Sequence, residues 1–318
     1  MFSYGKTLAG AACLVGSMSA QALAQEDYPH DVVTLVTHSS PGSGTDVFLR
    51  NLTQYLGPVM DVNFVVENVT GGSGANAMAH LANKPADGSI FYGTTPTFIF
   101  TSLLSSPEYT YRDLDPLVNV FIDQEVIFTR TESPFITLED AIQSARDGRG
   151  LWGASTPGSL ERQAMERLRT AADVDAAIVT HDGGGEMTIN VLNGTLDIGI
   201  GEFAELRPQI DGGTIRVLAV LSAERLADAT DLPTARELGY DVVVRKFRGL
   251  AGPSGLPDDI IAHWERAIQE VLADPAYRAE YEAELLSAEF MPHDEYVEFI
   301  DTFAAETEAF FRETGVIQ

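Results

Sequence analysis

The sequence is poor in cysteine, in basic residues and in long apolar runs, and each shortage excludes a class of protein. Its one cysteine, Cys13, stands near the start. The chain beyond it has neither a disulfide framework nor a thiol nucleophile, so the fold has to rest on core packing. Lysine and arginine number 20 against 47 aspartates and glutamates, a formal charge of -27. A surface of that sign repels nucleic acid and anionic membranes; it favours solubility and leaves a cationic ligand open. No apolar run reaches the roughly 20 residues that span a bilayer.

Enzymatic motifs are equally scarce. Gly153-Ala154-Ser155-Thr156-Pro157 fails at the last position of a nucleophile elbow, and Gly72 to Ala77 is too degenerate for a dinucleotide fingerprint. There is no P-loop, and the six histidines are scattered, so no metal set forms. His38 and His181 stand closest to predicted loops and read as pocket or surface polar groups rather than general bases. No catalytic residue, metal ligand or cofactor is expected. The enzymatic alternative is a hydrolase of a small ester or amide working through Ser155 or Ser159.

What is present starts with an export signal. Met1 to Ala24 has Lys6, an apolar and small-residue run from Leu8 to Ala22, and a small-x-small ending at Ala22-Leu23-Ala24. This is the pattern of a secretory signal peptide cleaved after Ala24. Removing 24 of 318 residues leaves 294, more than one core usually serves, which predicts two lobes.

Strands and helices alternate along the chain. Val32 to Val36 reads as a buried strand, and Asp46 to Leu56 as a helix through Val47, Leu49, Leu52 and Leu56, stopped by Gly57-Pro58. The unit recurs with strands at 63–66, 89–93, 126–129, 151–154, 177–180, 196–200 and 215–221. Helices are predicted at 75–82, 138–146, 159–172, 186–192 and 203–210. Alternation of this kind implies α/β architecture with mainly parallel sheets flanked by helices. From Asp258 onward three helical segments run to the end, their stripes at Trp264, Ile268, Val271 and Leu272 and at Tyr296, Phe299, Ile300 and Phe303 reading as packing faces.

In open parallel sheets a ligand sits beyond the strand carboxyl ends, where helix starts point free N–H groups at it. Three glycine-rich loops fit. The first is Ser39, Ser40, Pro41, Gly42, Ser43, Gly44, Thr45 and Asp46, where Asp46 reads first as a helix-dipole acid. The second runs from Ala154 to Ser159 and offers Ser155, Thr156, Gly158 and Ser159. The third, His181 to Glu186, holds His181, Gly183, Gly184 and Gly185. Thr95, Pro96 and Thr97 form a candidate pocket wall, and Glu202 is placed to read a ligand hydroxyl or ammonium. Arg162 and Arg248 are alternative partners for an anion, or else surface or lobe-interface arginines.

The order of these segments resembles the substrate-binding receptors of the tripartite tricarboxylate transporter family, the Bug receptors. The resemblance is carried by Tyr28-Pro29, Pro41 to Asp46, Val65-Val66-Glu67-Asn68, Gly71 to Gly74 and Ala86-Asp87-Gly88. It continues through Gly183 to Glu186, Asn193 to Asp197, Arg216 to Val220, Pro233 to Gly239 and Arg248 to Pro257, and so covers nearly all of the chain. It implies a two-lobed, type II-like Venus-flytrap protein of the periplasm, with residues 25–124 and 245–318 in one lobe and 125–244 in the other. It also implies a small organic carboxylate as ligand, a tripartite membrane transporter as partner and a monomeric state. A sensor serving a membrane kinase is the alternative with the same pocket. The family's loops are matched with departures: Ser43 replaces a glycine, Ser39 and Ser40 stand where other residues are common, and Arg162 replaces a frequent histidine.

Overall fold

A computed structural model describes Met1 and residues 28–318 except 149, 227, 228 and 314. Apart from Met1, the expected leader with Cys13 and its cleavage site lies outside the described residues. The chain first lays down β1 (Val32–Thr37), α1 (Gly44–Met60), β2 (Asn63–Asn68), α2 (Ala75–Ala82), β3 (Ile90–Thr94), α3 (Pro96–Ser105) and β4 (Leu114–Asp123). With only Gln124 between, it then crosses into β5 (Glu125–Arg130), α4 (Leu138–Asp147), β6 (Leu151–Ala154), α5 (Leu160–Ala172), β7 (Ala177–Thr180), α6 (Gly184–Leu192), β8 (Gly199–Glu202), α7 (Phe203–Asp211) and β9 (Ile215–Val220). It returns through β10 (Lys246–Pro253), α8 (Asp258–Ala273), α9 (Pro275–Ala283), β11 (Ser287–Met291) and α10 (His293–Glu313).

The first lobe is built on a six-stranded sheet in the order β11-β4-β10-β3-β1-β2. The β-branched run of β1 lies parallel to β2 and β3, as the strand-helix alternation predicts. The strands that leave and re-enter the lobe differ. β10, returning from the other lobe, enters the sheet from the opposite end and runs antiparallel to β3 and β4, and β11, two helices later, also runs antiparallel to β4. The second lobe likewise pairs β5 antiparallel to β8 and β9, and β6 parallel to β7, with a Trp152–Ile198 bridge between the two groups.

Two local expectations are corrected. α1 runs past Gly57-Pro58 to Met60, since Pro58 falls in the last turn and left-handed Asp61 closes the helix with its N–H on the Gly57 carbonyl. β10 is a strand where the sequence reading assigned no element, and β11 interrupts what read as a purely helical tail. In β10 the charges of Lys246 and Arg248 and two glycines break the apolar pattern, yet every residue of the strand is buried.

Each lobe has its own core, with Trp264 at the centre of one and Trp152 of the other, both fully buried. The lobes also share apolar surface. Phe100 of α3, Leu160 of α5 and Phe311 of α10 form one buried cluster, so the last helix ties the first lobe to the second.

Candidate functional site

Four helices begin at one place. α1 follows β1, α3 follows β3, α5 follows β6 and α6 follows β7, so their N-termini meet where the carboxyl ends of strands from both lobes face each other. Between them lies a cavity of about 30 Å3, room for about two waters. Its first-lobe wall is His38, Ser39, Ser43, Gly44, Thr45, Thr95, Thr97 and Lys246. Its second-lobe wall is Ser155, Thr156, Ser159, Glu161, Asp182, Gly183, Gly184, Ile200, Glu202 and Glu205.

Of the sequence candidates, Ser39, Ser43, Gly44, Thr45, Thr95, Thr97, Ser155, Thr156, Ser159, Gly183, Gly184 and Glu202 line this cavity. Ser40, Pro41, Gly42, Asp46, Pro96, Gly158, His181 and Gly185 do not. Asp46 is drawn inward to hold its own loop, accepting from the Gly42 N–H at 2.9 Å, from Arg50 and from Asn68. Burial works against its charge, but those hydrogen bonds outweigh it and keep the carboxyl below its ordinary range. Gly42, at φ 81°, supplies the left-handed turn this requires.

Other absentees hold the seam between the lobes. Ser40 bonds Ser43, and a β-carbon on Gly183 would fall 2.3 Å from the Ser40 hydroxyl. The Gly158 N–H donates to Ser73 Oγ at 3.3 Å across the cleft. Pro96 opens α3, with Thr95 as its cap. His181 is held by the Ala154 carbonyl and Asn190, both at 3.3 Å.

The floor of the cleft is a set of buried charges that sequence reasoning largely missed. Lys246 Nζ donates to Glu125 Oε1 at 2.8 Å, and to Glu161 and Glu202. Arg248 donates to Asp123 at 2.7 and 2.9 Å, to Glu202 at 2.6 Å and to the Thr45 hydroxyl at 2.7 Å. Arg248 is thus a fully buried interface arginine, whereas Arg162 pairs with Glu166 on its own helix and lies outside the cavity. One signal was available in the sequence: Lys246 and Arg248 flank Phe247 at period-two spacing between the apolar runs Val242-Val243-Val244 and Leu250-Ala251, although Arg245 beside Lys246 blurs the alternation. For Glu161 and Glu205 there was none, since each reads as an ordinary early-helix acid.

The cluster settles its own protonation. Burial alone would strip the charge from Lys246, but Glu125, Glu161 and Glu202 overcome it and hold the ammonium well above its usual range. Burial would likewise raise Glu202, and Lys246 and Arg248 reverse this and hold it well below. Burial, then the charge of Glu202, pushes Glu205 well above the carboxylate range; burial does the same to Glu125 against the pull of Lys246. Burial drops His38 to about 4, so it is neutral at physiological pH, its Nδ1 2.7 Å from the Tyr92 hydroxyl. Glu125, Glu161 and Glu202 offer oxygens within 4.8 Å of one another, spacing that would suit a metal ion. The Lys246 ammonium already bonds all three.

Ser155 donates to Glu161 Oε2 at 3.0 Å, and Ser159 caps α5 by accepting the Arg162 N–H at 3.0 Å. Neither serine is bonded to a histidine among the described residues, so the nucleophile-base pair of a hydrolase is not assembled.

Residues 48–316 match the family model described as the tripartite tricarboxylate transporter family receptor. Protein BugT of Bordetella pertussis is 26% identical over 299 residues, covering 91% of this chain and 91% of BugT. Among solved structures, R. palustris Rpa4515 with adipate superposes at a TM-score of 0.86 with 24% identity, covering 91% of this chain and 99% of that one. The periplasmic binding protein BugD does so at 0.83 with 22% identity and the same coverage. By its sequence along most of its length and by its two-lobed periplasmic-binding fold, this chain belongs to the tripartite tricarboxylate transporter receptor family of solute-binding proteins.

Proposed function

We propose that the protein is exported by cleavage after Ala24 and, as a monomer, captures a small organic carboxylate between its lobes for delivery to a tripartite tricarboxylate-type membrane transporter. The observation that carries this reading is the convergence of the α1, α3, α5 and α6 starts from two lobes on one cavity. Helix starts present N–H groups and a positive dipole end to an anion, and the hydroxyls of Ser39, Ser43, Thr45, Thr95, Thr97 and Thr156 surround the same point. The relative that holds adipate has the same fold. Lobe limits near residues 124 and 245 are supported by the crossings at Gln124 and before Lys246.

Net charge does not forbid this. Ionic screening over about 8 Å separates most surface charge from a sheltered cleft, so local donors decide. A cavity of about 30 Å3 admits no organic acid, so the lobes part for entry and close around the ligand. Thermal unfolding in the presence of di- and tricarboxylates, sugars and metal cations tests the reading. At least one carboxylate should raise the midpoint with the logarithm of its concentration. If sugars or cations do so and no carboxylate does, the reading is wrong.

A further inference from the structure

His38 follows β1 and lines the first-lobe wall of the cavity, only 7% exposed. Its Nδ1 lies 2.7 Å from the hydroxyl of Tyr92, a residue of β3 with no exposed surface. That hydroxyl has one hydrogen-bonding partner among the described residues, and the partner is His38. The hydrogens of the pair can therefore be placed. With a hydrogen on Nδ1, the Tyr92 O–H would be buried without an acceptor, which is costly. Tyr92 therefore donates and Nδ1 accepts. Burial, aided by Lys246 and Arg248 against Glu161 and Glu202, keeps the ring neutral at physiological pH. A neutral imidazole carries one N–H, so here it is on Nε2. Nε2 bonds no described residue, and it is not among the polar atoms sealed inside the protein; it opens to the cavity that the ring lines. The result is a donor that cannot turn into an acceptor. The hydroxyls beside it can act either way, and the Lys246 ammonium is already bonded to three carboxylates.

We propose that His38 is a specificity-determining residue of the cleft, its Nε2–H donating one hydrogen bond to an acceptor oxygen of the bound ligand, with Tyr92 as the positioning residue that fixes it as a donor. This rests on the carboxylate reading above and goes beyond it, since that reading gives His38 no part. A fixed donor selects. It favours a ligand that places a carboxylate or carbonyl oxygen at Nε2, and it rejects one that places an N–H there, because two donors then face each other and one stays unpaired. The ring is also held before any ligand arrives. Tyr92 anchors one edge, and Gly74 packs against its stem so closely that an added β-carbon would lie 3.3 Å from the His38 β-carbon. A donor fixed in this way loses little freedom on binding.

Nuclear magnetic resonance of the mature chain carrying isotope-labelled histidine reads the ring directly at neutral pH. His38, picked out from the six histidines by its loss in the double variant His38→Phe with Tyr92→Phe, should show a protonated Nε2 and a bare Nδ1. The Nε2 resonance should move when succinate, adipate, malate or citrate binds. Calorimetry with the tightest of these acids should find the double variant at least about tenfold weaker than Tyr92→Phe alone, the effect of one hydrogen bond to a charged group. The tyrosine is changed in both, so no orphaned hydroxyl enters the comparison. A hydrogen on Nδ1 overturns the inference, and so does a loss of affinity short of that size; in either case the carboxylate reading stands. Failure of every acid to bind overturns both. Should a variant fail to fold, the wild-type spectra decide: an Nε2 resonance that stays in place when an acid binds overturns the inference.

Discussion

The two walls of the cleft meet a guest with different chemistry. On the first-lobe side stand the starts of α1 and α3 and a set of small hydroxyls, backed by Lys246 and Arg248 from β10. On the second-lobe side stand Glu161, Asp182, Glu202 and Glu205, with the starts of α5 and α6 between them. The first wall offers helix starts and hydroxyls, and the second adds a set of acids to its own helix starts and hydroxyls. The difference teaches where specificity is built: neither lobe alone defines a charge pattern, and closing the cleft brings the two faces together. Lys246 and Arg248 also reach across it to Glu161 and Glu202, so the same ion pairs that shape the floor hold the lobes together.

Removing the cation at the floor breaks the contrast most severely. Lys246→Met strands three carboxylates that now share one ammonium, and breaking a buried pair in this way costs about 3–5 kcal/mol. Urea unfolding should show the loss, and it should grow as pH rises. Glu125 is already raised by burial, and without the ammonium burial acts unopposed on Glu161 as well, so the loss is smallest at low pH, where these acids are protonated, and grows as pH rises through their folded-state pKa values. A loss that stays small at pH 8 would mean the carboxylates do not depend on Lys246.

A methyl group at the seam is a milder perturbation. A β-carbon on Gly44 would lie 2.6 Å from Arg248 Nη2 and from Glu202 Cδ, both locked in the cluster. Gly44→Ala should hold the walls apart and lower ligand affinity at least about tenfold, or roughly 1.4 kcal/mol. Part of the clash falls on Arg248 of the same lobe, so some loss of stability should accompany the loss of affinity. Calorimetry measures the affinity, and small-angle scattering should show a larger radius of gyration with ligand present. Unchanged affinity would show that the lobes do not close as tightly as the Gly44–Glu205 hydrogen bond implies.

The smallest effect comes from an acid beyond the reach of that cluster's cations. Glu284 accepts from Asn51 at 3.1 Å, and burial, then Glu280, pushes its pKa from 4.5 up to about 7. A carboxyl raised in this way contributes stability that is full below its unfolded value and lost as pH rises through about 7. Glu284→Gln should therefore stabilise the protein at pH 8, by about 1 kcal/mol once solvent screening is allowed for, and should change little at pH 4. Thermal melts at the two pH values check this, and a larger gain at pH 4 would reverse the argument.

Local chemistry made much of the first wall legible. Ser43, Gly44 and Thr45 stand out along the chain because a strand, a glycine-rich turn and a helix start follow one another within a dozen residues. Gly183 and Gly184 stand out for the same reason. The same signal overreached at Gly42, Gly158 and His181, which sit in the marked loops but spend their hydrogen bonds on Asp46, on Ser73 and on Ala154 and Asn190. A loop pattern reports where a backbone turns, not which way each group points.

The sequence by itself determined the alternation of strands and helices, the glycine-rich helix starts and the family to which the chain belongs, because these rest on neighbours within a few residues. Tertiary structure alone decided the acid wall and the floor. Lys246 lies 85 positions from Glu161 and 44 from Glu202, and Glu205 lies 161 from Gly44. Their protonation and their role follow from burial in a shared low-dielectric space, and that space exists only once the two lobes have met.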